Sequence, residues 1–300
     1  MKHVIEELAE VYPQLYLDPD TADIKEYKAC VLAGARPQEC GLAHFVMDER
    51  DEAETVGTPA GIAKVITLHD RHDFEVFVRC MMAAKNGPLE PVPETMGAST
   101  MVAFNWPRIN AHREVFLEEQ MAAGVTEPDW SAEFKRFTSV KENYQDLLIV
   151  LSCGPYSNVT LDRVNEVLTA FGRDSLSDDE WGEKSGMIRK YHELTHFVCR
   201  KLHPDKIDVI RDEIIADAVG IYGAFGEYGE CGRELEELFL GIKDGKYTDG
   251  RLGNYTDEGA DMDELAGRIN AVLREFVPMI SGLPDSSIFD IMTVLESAEK

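Results

Sequence analysis

Apolar and polar positions along the chain fall into two rhythms. The N-terminal stretch MKHVIEELAEVYPQLY places apolar residues at helical spacing with acids between them and predicts a helix over about 2–11. KVITL (64–68) is a short β-branched run and predicts a strand, whereas DFEVFVRCMMAAKNG (73–87) reads as a helix stopped by Asn86-Gly87. Pro and Gly crowd the next stretch, GPLEPVPETMGAS (87–99), which reads as an irregular connection or a lid-like loop. After it, TMVAFNW suggests a strand and INAHREVFLEEQMAAG a helix.

From about residue 141 the pattern sharpens. DLLIVLS (146–152) is a buried-strand candidate, GPYSN is turn chemistry, and LDRVNEVLTAFG opens a mostly helical remainder. These elements predict an α+β protein: a mixed α/β N-terminal region (1–140) with a sheet, followed by a mostly helical region (141–300) that carries the chemistry. No internal repeat or low-complexity tract interrupts it.

That chemistry centres on HELTH, His192-Glu193-Leu194-Thr195-His196. Met187, Ile188, Tyr191, Leu194, Phe197, Val198 and Leu202 recur at helical spacing around it. Histidines at i and i+4 project from one face about one turn apart, a separation that suits two corners of a tetrahedral zinc ion. Glu193 then lies beside the metal without binding it, within reach of a zinc-bound water. The bland reading of the pentamer is a solvated helix face on which two histidines align.

Downstream, Pro204 in Leu202-His203-Pro204-Asp205 should end this helix, and a second should begin near Ile207 and run through VIRDEIIADAVGIYGAF. Glu213 and Asp217 stand one turn apart on it, bordering the stripe of Ile210, Ile214 and Ile221, with Ala216 and Gly220 on the other side. Two carboxylates beside apolar groups repel each other and lose hydration unless a cation or firm hydrogen bonds compensate them. A zinc ion on Glu213 and a histidine N–H on Asp217 would do both; pairing with an arginine, or capping of a neighbouring helix, is the plainer alternative.

HELTH followed by Glu213-x-x-x-Asp217 on a second helix resembles the active site of the thermolysin-like zinc metallopeptidases and of gluzincins more broadly. The likeness covers about residues 187–222. It implies a zincin-like fold around one Zn2+, with His192, His196 and Glu213 as ligands, Glu193 as the base that activates water, and Asp217 as the support of His192. It also implies a peptide or protein substrate. In the family a strand before the active helix borders the cleft and pairs with extended substrate; DLLIVLS holds that place in the order, as a candidate substrate edge or an ordinary core strand.

This chain departs from the family in its oxyanion donors. No tyrosine occurs between Tyr191 and Tyr222, and no histidine follows His203. The donor would then come from a later tyrosine or an arginine: Tyr222, Tyr247 and Tyr255 are the candidates in the site, with Tyr228 and Arg233 also available. Tyr247 and Tyr255 fall in a stretch rich in Gly, Asp and Asn, where substrate-facing residues often sit. The metzincin frame needs Gly and His where Cys199 and Leu202 stand, and His203 misses by one position. Glu39-Cys40-Gly41 resembles a deformylase segment only superficially, because its order is scrambled and its interval to His192 too long.

Composition narrows the partners. With 30 basic against 56 acidic residues the net charge is −26, which argues against duplex DNA or an anionic membrane. The N-terminal stretch lacks the uninterrupted apolar core of a secretory signal, and no segment reaches the length of a membrane span. Six cysteines (30, 40, 80, 153, 199 and 231) show no paired spacing and read as reduced thiols, so a cytoplasmic protein is expected. Three functions remain: a zinc metallopeptidase, a zinc amidohydrolase or processing enzyme dedicated to one substrate, and a non-enzymatic protein with a structural zinc. Oligomeric state has no signature.

Overall fold

The computed structural model describes residues 2–82, 91–203, 208–256, 259–283 and 287–297. Helices dominate and a small sheet accompanies them, so the protein is α+β. The chain divides into two compact units, the first comprising Met1–Thr55, Ala63–Pro93 and Ser99–Val150, the second Val56–Ile62, Glu94–Ala98 and Leu151–Lys300.

The first half of the chain carries α1 (Val4–Val11), α2 (Ile24–Ala33), β1 (Glu52–Thr58), β2 (Gly61–Leu68), α3 (Arg71–Met82), β3 (Ala98–Phe104), α4 (Trp106–Ala122), α5 (Trp130–Phe137) and β4 (Gln145–Ser152). α1 starts where local chemistry directs it: the His3 ring accepts the Ile5 N–H while Glu6 accepts the His3 N–H at 2.7 Å. β1 had no sequence signal, because its residues EAETVGT are mostly exposed and lack an apolar face. The stop expected at Asn86-Gly87 and the start of the Pro/Gly-rich stretch lie outside the described residues; 91–97 form neither helix nor strand.

The strands run in the order β1-β2-β4-β3. β4, the DLLIVLS run, is therefore an inner strand, with Leu148 through Leu151 buried. Its backbone groups face β2 on one side and β3 on the other, which corrects the reading of this strand as a substrate edge.

The remainder carries α6 (Leu161–Ala170), α7 (Asp178–Leu202), α8 (Val209–Phe225), α9 (Gly229–Leu240), a hairpin of β5 (Ile242–Lys243) and β6 (Lys246–Tyr247), α10 (Met262–Ser281) and α11 (Ile288–Ser297). Short 3-10 turns lie at Tyr156–Asn158 and Arg251–Tyr255. Ser177 and Glu180 form a capping box at the start of α7, which places acids in its first turn and Arg200 and Lys201 in its last, as the helix dipole favours. α7 ends with His203 as its cap, and Asp208 caps the start of α8. The break at Pro204-Asp205 and the start near Ile207 fall on residues outside the description.

α7 and α8 pack antiparallel, since Ile188 meets Gly220 while His192 meets Asp217 and His196 meets Glu213. Gly220 makes this approach possible: a Cβ there would lie 2.7 Å from the Ile188 carbonyl oxygen. Gly223 likewise leaves room for the Tyr191 ring. Among the described residues no helix is long and apolar enough to cross a membrane. The six cysteines are free.

Candidate metal centre

The close α7–α8 seam brings His192, His196 and Glu213 together, each buried, with one potential ligand atom apiece within 4.8 Å of the others. His192 and His196 Nε2 are 3.0 Å apart. His196 Nε2 lies 3.2 Å from Glu213 Oε1, and His192 Nε2 lies 3.4 Å from Oε2.

Hydrogen bonding on the far side of His192 decides its tautomer. Its Nδ1 is 2.9 Å from Asp217 Oδ1, so Nδ1–H donates to that carboxylate and Nε2 faces the centre, where the neutral ring presents its lone pair. Asp217 is fully buried and is held by two further donors, the Tyr156 hydroxyl at 2.6 Å and the Arg251 guanidinium. Arg251 Nη1 also donates to the Tyr156 oxygen at 2.6 Å, and that oxygen lies 3.1 Å from His192 Nδ1. Burial pushes the Asp217 carboxyl up, but Arg251 and the His192 hydrogen bond outweigh it and hold the group ionised.

The centre itself is an excess of acceptors. Burial pushes the Glu213 carboxyl up, and the His192 and His196 rings, 3.4 and 3.2 Å away, reverse this and hold it far below the usual range. Burial would lower the His192 imidazole; the Asp217 hydrogen bond and the facing Glu213 carboxylate prevail and raise it to about 9. A proton on His192 serves one neighbour, and Glu213 Oε2 is left buried without a hydrogen bond. A divalent cation satisfies all three groups at once. Ligands about 2.1 Å from a tetrahedral zinc lie about 3.4 Å from one another, close to the separations found here. The residues present therefore fit zinc.

Glu193 follows His192 on α7 and is half-buried. Of the tyrosines singled out as oxyanion donors, Tyr255 shares its turn with Arg251, whose guanidinium lies 5.9 Å from its ring centroid, and burial raises its pKa, so its hydroxyl is neutral. Tyr247 is committed elsewhere: it lies on β6, and its hydroxyl donates to the Gly250 carbonyl and accepts from the Gly250 N–H. Tyr222 makes no hydrogen bond to the triad among the described residues. Tyr228 donates to Glu236 at 2.5 Å, and Arg233 is held by Glu230, Glu234 and Glu237.

Two residues escaped the sequence reading, Tyr156 and Arg251. Tyr156 lies in the GPYSN turn after β4, and Arg251 in the turn that also carries Tyr255. Helical periodicity gives no hint of either, because both reach the centre from separate segments. The available signal was weak: a Tyr within tight turn chemistry, and the only arginine in the Gly-rich stretch before Tyr255.

Fold and centre together define an α+β protein with a buried His–His–Glu group on two packed antiparallel helices, backed by an Asp–Tyr–Arg cluster. The chain belongs to the family of unknown function DUF7005, whose model matches residues 2–281. No curated protein and no solved structure matches it.

Proposed function

We propose that the protein is a zinc-dependent metallopeptidase of gluzincin type with a zincin-like catalytic region. The observation that carries this reading is the convergence of three buried acceptors, one orphaned, at separations that suit a tetrahedral ion. Zinc bound there supplies a Lewis acid that polarises a substrate carbonyl and acidifies water. Glu193 takes the proton of the attacking water and delivers it to the leaving amine. The Tyr255 hydroxyl donates a hydrogen bond to the oxygen on which charge develops. Asp217, Tyr156 and Arg251 keep His192 in the tautomer that presents Nε2.

A structural zinc is normally closed by four protein ligands. Among the described residues, three are grouped, which favours an open, catalytic position. The free cysteines favour a reducing compartment such as the cytoplasm. The test is hydrolysis of a mixed peptide library by the zinc-loaded protein and by Glu193→Gln. The expected result is cleavage that falls at least about a hundredfold in the variant while zinc content is retained. Equal activity in both proteins, or none in either at full zinc occupancy, contradicts the peptidase reading.

A further inference from the structure

Next to the residues that hold the triad lies a cavity of about 350 Å³. Its wall continues theirs along the chain: Ser157 and Asn158 follow Tyr156, Asn254 precedes Tyr255, and Arg251 belongs to both. The volume falls within the range of small-molecule sites, about 300–1,000 Å³.

The wall is built under strain. Ser157 and Asn158 both have φ of 55°, so two consecutive residues with side chains occupy the left-handed region that favours glycine. Such strain persists where surrounding structure enforces it, and it clusters at ligand clamps and active sites. Here the Ser157 hydroxyl, donating to the Phe239 carbonyl at 2.9 Å, helps to enforce it.

The charges of the cavity are uneven in their commitments. Arg251 is neutralised by Asp217. Arg163, on the first turn of α6, lines the cavity, is exposed, and has no hydrogen bond or ion pair among the described residues. Arg163 is thus the arginine of this cavity that no carboxylate already occupies. Its planar fork matches a carboxylate in two-point geometry. Asp249 also lines the cavity and is exposed, which makes a cationic ligand the competing case.

We propose that this cavity is a substrate subsite selective for a carboxylate, with Arg163 as its specificity-determining residue; this rests on the peptidase reading of the adjoining triad. The carboxylate comes from an acidic side chain or from a free peptide C-terminus, and the test separates the two. Zinc-loaded Glu193→Gln protein is titrated with four fluorescent peptides: one with an internal glutamate and an amidated end, one neutral with a free carboxylate, one neutral and amidated, and one with an internal lysine and an amidated end. One of the first two binds roughly ten- to hundredfold more tightly than the neutral amide, as expected for hydrogen bonds to a charged group. Adding Arg163→Gln removes that gain, and Arg163→Lys restores part of it.

Equal affinity for all four, no binding, a carboxylate preference that survives Arg163→Gln, or a lysine preference lost in Asp249→Asn each overturns the proposal. Cleavage by the unsubstituted protein is read separately. Arg163-dependent carboxylate binding without cleavage of any peptide leaves the subsite standing and contradicts the peptidase.

Discussion

A phenol offers one proton and two lone pairs, and the Tyr156 hydroxyl uses both kinds of capacity. It donates to Asp217 and accepts from Arg251, with His192 Nδ1 at its side. Removing it leaves Arg251 Nη1 and one Asp217 lone pair without that partner in a buried place, while the converging atoms of His192, His196 and Glu213 stay. Tyr156→Phe should therefore weaken zinc binding roughly ten- to hundredfold through the orientation of His192. Calorimetric titration against the unsubstituted protein checks this, and an unchanged affinity contradicts the role. Glu236 poses a different problem. It is fully buried, its Oε1 has no partner, and burial together with the Asp217 charge raises its pKa well above 4.5. A carboxyl with a raised folded-state pKa contributes fully below its unfolded value and loses that contribution as pH rises toward the folded value. Glu236→Gln should match the unsubstituted protein in stability near pH 4 and exceed it increasingly as pH rises; denaturant melts across pH read the difference.

At the scale of elements, the site depends on how closely α8 approaches α7. Gly220 sets that distance, since a Cβ there meets first the Ile188 carbonyl oxygen, which cannot turn away, and then the Ile188 side chain. Gly220→Ala should destabilise the protein by about 1–3 kcal/mol through overpacking and should also reduce zinc affinity, because the seam holds Glu213 opposite His196. Denaturant unfolding and metal titration measure the two effects, and a neutral substitution in both would place the constraint elsewhere. This seam was readable from sequence for a physical reason: ligands at i and i+4, with carboxylates one turn apart on the next helix, are local patterns with the period of the helix itself. Strand order is not local. DLLIVLS was readable as a strand, but only pairing with β2 and β3 makes it an inner one. The hairpin bearing Tyr247 did leave a local sign that went unread, Asp244-Gly245, whose positive φ values of 51° and 73° are those of a two-residue turn. Tyr156 and Arg251 belong to the unreadable part, since irregular turns have no period to carry them to the site.

For the molecule as a whole, the centre is a buried concentration of negative charge and lone pairs within a chain of net charge −26. A cation that binds the folded state alone stabilises it by mass action, about 4 kcal/mol at a thousandfold excess over its Kd. The acidic character thus suits metal acquisition. The most direct test is the metal content of the purified protein beside that of Glu213→Ala, after dialysis against trace zinc. One zinc per chain in the unsubstituted protein and a substoichiometric amount in the variant is the predicted result. Stoichiometric zinc in Glu213→Ala, or none in either protein, would contradict the assignment of His192, His196 and Glu213 as one metal site.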